Sequence, residues 1–134
     1  MAETYPLAAV RDLRSREEEE AKEHLARAID AHAQATRAVQ DATQALADHE
    51  RATQEQAEKD RARDRTLRTI ADMGLLHSYL LRRKEGALAL QDAIVSARQR
   101  ESLCATEVEA ARTALANARA EREAVERHFA AWQA

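Results

Sequence analysis

From Leu80, steps of three and four residues taken alternately reach Trp132 through sixteen positions, and thirteen of them are apolar. Only Arg83, Glu101 and Arg122 interrupt the series. Apolar residues repeating every 3.5 positions over about seven heptads form one stripe along a helix, and another helix has to cover it. A strand buries alternate residues and cannot use this spacing. The N-terminal half carries a weaker series, from Ala21 through Leu25, Ala28, His32, Ala35, Val39 and Ala42 to Leu46. It turns polar at His49, Thr53, Gln56, Asp60 and Arg63, then recovers at Leu67 and Ile70.

These stripes cannot make a globular core. Of 134 residues 45% are hydrophobic, but 32 are alanine, and aromatic residues are only 3%. Large buried side chains are what offset chain entropy, and they are scarce here. Alanine, glutamate, arginine and leucine in helical register are the composition of long helices. Charged residues reach 34%, yet disordered chains are rich in Pro, Gly and Ser and lack sustained periodicity.

The breaks place the turn. Pro6 suits a first helical turn, where its missing N–H would be unpaired anyway, and Thr4 stands as an N-cap before it. Beyond Pro6 only Gly74 and Gly86 interrupt helix formers. Gly86 sits inside a clean heptad stretch, where one glycine costs about 1 kcal/mol. Gly74 follows the recovered stripe and reads as the residue just past a helix C-terminus. The expectation is one all-α domain over residues 1–134, a long antiparallel two-helix coiled-coil hairpin. Helix one spans about 6–72, the turn about 73–76 and helix two about 77–133. One continuous helix that dimerises is the competing layout. Partner numbers in the hairpin sum to about 147, which sets Val39 against Val108, His32 against Leu115, Ala28 against Ala118 and Ala21 against Val125. Each arm would be ~90 Å long.

Catalytic and cofactor chemistry has no foothold. One cysteine, Cys104, allows neither an internal disulfide nor a multi-cysteine zinc site, and its stripe position reads as a small buried hydrophobe. His24, His32, His49, His77 and His128 lack metal-ligand spacing. His32 and His49 fall on the stripe, where a polar residue sets register. No glycine-rich phosphate loop is present. The expectation is a non-enzyme with no catalytic residue, metal or cofactor. The basic run RARDRTLRT lacks aromatics for base stacking, which argues against nucleic acid. Glu17 to Glu20 read as a solvated acidic face near a helix start. The N-terminus has no signal-peptide pattern, and no apolar run approaches the ~20 residues of a membrane span. A soluble cytoplasmic protein without direct membrane insertion is expected.

Function then lies in surfaces. Residues 59–84 carry a net charge of +5, against −6 for residues 1–58 and −2 for 85–134. In that basic stretch Leu75, Leu76, Tyr79 and Leu80 stand beside Arg82, Arg83 and Lys84. Exposed leucines ringed by arginines make a partner site, and turn packing with solubilising charge is the plainer reading. At the other end Tyr5, Leu7, Val10 and Leu13 lie near Val125, Phe129 and Trp132. Distinct chemistry at two ends suggests a bridge between assemblies.

The opening "YPLAAVRDLRSREEEEAKEHLARA" resembles the YscO/FliJ family, the central stalk proteins of bacterial type III secretion and flagellar export. Leu7, Val10, Arg11, Leu13, Glu17, Ala21 and Leu25 carry the likeness, which covers about two dozen residues. The resemblance implies a hairpin whose terminal end enters the hexameric export ATPase and whose tip faces the cytoplasmic ring of the export-gate protein. Such a stalk promotes ATPase activity and substrate export at the inner-membrane base of the apparatus, with secretion chaperones as further partners. Carried over, the gate-facing tip comprises Leu75, Leu76, Tyr79, Leu80, Arg82, Arg83 and Leu90. The ATPase-facing end comprises Leu7, Val10, Arg11, Phe129 and Trp132. The alternative is a generic coiled-coil adaptor or chaperone escort with no ATPase role.

Overall fold

The computed structural model describes residues 4–63 and 69–134. They form a helical hairpin of two long helices, α1 (Ala8–Arg63, 56 residues) and α2 (Ile70–Gln133, 64 residues). No strand occurs among the described residues. Both helices hold their apolar stripe. In α2 the buried or half-buried positions run Arg83, Ala87, Leu90, Ile94 and Ala97 and continue at the same spacing to Phe129. In α1 the series from Ala21 to Asp60 is likewise shielded.

The helix boundaries differ from those expected. Gly74 does not end a helix; it lies inside α2, whose first residue is Ile70. Thr69 caps that helix. Its Oγ1 accepts the Asp72 N–H at 3.1 Å, and Asp72 Oδ2 accepts the Thr69 N–H at 3.2 Å. This reciprocal pair satisfies two amide donors that a helix start leaves open. The Thr-x-x-Asp signature outweighs an isolated glycine, because a glycine in mid-helix is only a modest penalty. Ile70 is therefore not a recovery of the first stripe: it opens α2 and is 90% exposed. Leu67 and the Arg63 side chain fall outside the described residues. At the other terminus α1 begins at Ala8 rather than Pro6, with the Ala8 N–H bonded to the Tyr5 carbonyl at 3.1 Å.

Gly74 has nothing within 4 Å of where a β-carbon would stand, and no glycine has a positive φ. Gly74→Ala is therefore expected to raise unfolding stability by about 1 kcal/mol. Chemical denaturation checks it: a loss of stability would return Gly74 to a helix end.

The chain divides into two compact units. The terminal unit comprises Met1–Gln34 and Ser102–Ala134, and the central unit comprises Ala35–Glu101. In the terminal unit the helices run antiparallel: Tyr5 meets His128, Arg14 meets Glu121 and His24 meets Glu107. Partner numbers thus sum to about 135, not 147. Val108 accordingly packs with Ala28 and Ala111, and Leu25 closes the cluster. Ala28 does not take Ala118 as its core partner, nor Val108 Val39. A heptad stripe presents much the same face after a slide of whole heptads, and the difference of about twelve residues is close to two of them, so apolar pattern alone does not choose the register.

Candidate functional site

The terminal unit gathers its aromatics around Tyr5, which is only 6% exposed. Its hydroxyl shares a 2.6 Å hydrogen bond with His128 Nδ1. Its ring meets Phe129 edge-on at 4.9 Å and Trp132 at 5.3 Å. Arg11 lies 4.0 Å over the Phe129 ring and donates Nε to Glu126 at 2.8 Å. Of the five residues expected to face an ATPase, Arg11, Phe129 and Trp132 thus converge. Val10 is half-buried and Leu7 exposed. Tyr5 and His128 organise the cluster; the sequence placed Tyr5 near Phe129 and Trp132 without assigning it an ATPase-facing role, and gave His128 none. The available clue was a tyrosine just before the first helical turn, where its ring can fold back on a neighbouring helix.

About two helical turns further in, Glu18 is a buried carboxylate with three cationic neighbours. Arg122 hydrogen-bonds it, Lys22 lies at 3.4 Å and Arg119 at 3.6 Å. Glu18 thus answers Arg122, one of the three breaks in the α2 stripe. Burial pushes the Glu18 carboxyl up, but hydrogen bonds from Arg122 and Lys22 outweigh it and hold it below the ordinary 4.5. Glu126 is also held below 4.5, chiefly by its hydrogen bond from Arg11.

A carboxylate whose pKa is lower in the folded state contributes stability above its unfolded pKa and loses it as pH falls through the folded value. The melting temperature is therefore expected to hold from neutrality down to about 4.5 and to fall below it. Glu126→Gln should flatten that acid limb in a thermal melt series; an unchanged limb would show the pair to be uncoupled from folding.

The central unit carries the residues expected to meet an export gate, and it splits them. Arg83 faces α1: Nε donates to Thr53 Oγ1 at 2.7 Å, and Nη2 donates to the His49 carbonyl at 2.8 Å. The Thr53 hydroxyl itself donates to that carbonyl at 3.0 Å. Leu76, Tyr79 and Leu90 are half-buried on the same side. Arg83 thus commits two of its five N–H donors to α1, which makes it part of the helix packing as well as a residue of this surface. Leu75, Leu80 and Arg82 stay exposed. Gly86 also gains a reason. A β-carbon there would come within 2.8 Å of His49 Nε2, so the missing side chain is what seats the imidazole.

Much of the chain's exposed apolar surface lies at the start of α2: Ile70, Met73, Leu75, Leu80, Leu81 and Leu88 are all exposed. No group of acidic, histidine or cysteine side chains among the described residues could hold a metal ion. No helix among them is long and apolar enough to cross a membrane. Comparison with protein-family models, curated proteins and solved structures gives no match for this chain.

Proposed function

We propose that this chain is the non-enzymatic central stalk of a bacterial type III export apparatus. In this reading it links the hexameric export ATPase to the cytoplasmic ring of the export-gate protein, and promotes ATP hydrolysis and substrate export. It works in the cytoplasm, peripheral to the inner-membrane base of the apparatus. One observation carries most weight: apolar side chains cluster at the solvent surface from Ile70 to Leu88, beside exposed Arg82 and Lys84. Apolar surface held in solvent on a slender two-helix element is a partner site rather than a core. The Tyr5–Arg11–Phe129–Trp132 cluster supports a second contact in the terminal unit, because aromatic and arginine side chains dominate interface energetics. Leu7 and Trp132 remain accessible there for the ATPase.

The purified protein should stimulate hydrolysis by its cognate ATPase. Paired Arg82→Glu and Lys84→Glu changes should weaken gate binding about tenfold without loss of helicity, read by calorimetry and far-UV circular dichroism. Arg83 is left intact in that test, since reversing it would disturb His49 and Thr53. An ATPase indifferent to the protein over a wide concentration range would count against the stalk. Capture of secretion chaperones with no ATPase effect would instead select the adaptor reading.

A further inference from the structure

We propose that a groove on the central unit docks an amphipathic helix from a partner protein, acidic on its polar face. The groove is about 350 Å³ in volume and lies between α1 and α2. Thr53, Ala57, Leu80 and Ala87 line it together with Arg83 and Lys84. It exists because the positions there are small. Leucine at 57 or 87 would fill it, and the helices could not close further because Arg83 and the His49 ring stand between them. The hollow is thus shaped for a large apolar side chain supplied from outside.

The spacing specifies a helix as that source. Met73, Leu80 and Ala87 recur every seven residues, and His77, Lys84 and Gln91 recur every seven between them. On α2 these two series form one face in steps of four and three, one apolar and one polar, the spacing with which an amphipathic helix lying alongside is in step. Met73 and Leu80 are 59% and 47% exposed while Ala87 is half-buried, so this face starts at the edge of the shielded stripe and runs outward from it among the described residues. Charge specifies the partner's chemistry. Lys84 and Arg83 line the groove, and Arg61 stands one turn beyond Ala57. Among the described lining residues Glu50 alone is acidic. A basic excess on a helix-docking face favours an acidic partner and disfavours a basic one. This deepens the gate-facing part of the stalk reading, on which it rests only for the assembly that supplies the helix.

The test titrates the full chain, followed by NMR, with a synthetic amphipathic peptide of about 20 residues. The peptide carries leucine at its apolar positions and glutamate on its flanks; a second peptide carries lysine instead. The acidic peptide should give saturable shifts at Ala57, Leu80 and Ala87, with affinity about tenfold above the lysine peptide. Ala57→Leu should abolish those shifts, and Lys84→Glu should erase the preference for acid. Equal affinity for both peptides, or binding untouched by Ala57→Leu in a protein of unchanged helicity, would overturn the proposal. So would concentration-dependent self-association blocked by Ala57→Leu, which would assign the groove to a second copy. The assay contains neither ATPase nor gate protein, so its failure and failure of the stalk reading are separate results.

Discussion

Replacing Tyr5 by alanine should destabilise the terminal unit by about 3–5 kcal/mol, the range for truncating a buried aromatic. Tyr5 contributes more than area. It is the shared neighbour of His128, Phe129 and Trp132, so its loss leaves three rings without a common partner. Tyr5→Phe separates the two contributions, keeping the ring contacts and deleting the bond to His128 Nδ1. That change should cost only about 1 kcal/mol. Hydrogen exchange at residues 8–14 and 124–133 reads the effect locally, and denaturant midpoints read it globally. If Tyr5→Ala and Tyr5→Phe lose the same stability, ring packing is not what holds this cluster.

Ala111→Leu should cost about 1–3 kcal/mol, for the opposite reason. Ala111 is 1% exposed and packs with Ala28 and Val108, so both sides of this contact are small. Where alanine meets alanine and valine, the helix backbones come close and no void waits for three added carbons. Ala114→Leu is the control, because Ala114 is exposed on the same helix and such changes stay within about 0.5 kcal/mol. Denaturation of both variants side by side gives the comparison. A harmless Ala111→Leu would mean that the helices are spaced more widely than the buried alanines indicate.

The faces of the helices were legible in the sequence, and the way they meet was not. Spacing alone assigned Ala28, Ala35, Ile94, Val108 and Leu115 to the interior, and all are buried. It failed on register because a heptad repeat is nearly blind to sliding, and because the turn was read from Gly74 instead of the Thr69–Asp72 cap. With the register came the partners of the odd residues. Arg83 and Arg122 look like flaws in an apolar stripe until His49, Thr53 and Glu18 are set opposite them. At the candidate surfaces, sequence found the leucines and arginines of 75–83 but could not tell which faced out. The same uncertainty of phase hid Arg83's structural role. Tyr5 was legible as a neighbour of Phe129 and Trp132 but not as their buried centre, because a residue outside any helix has no periodicity to betray its direction.

Glu18 and Arg83 have a mechanical consequence. Two alanine-lined helices under axial load resist shear poorly, since a displacement of about one heptad, roughly 10 Å, restores much the same apolar contacts. Each unit has its own detent against that slip. In the terminal unit, shear would pull Arg122 from the buried Glu18 carboxylate. In the central unit it would strip Arg83 of the His49 carbonyl and drive the His49 ring out of its seat at Gly86. Stiffness along the axis therefore comes from a few polar pins, while the apolar seam supplies adhesion without grip.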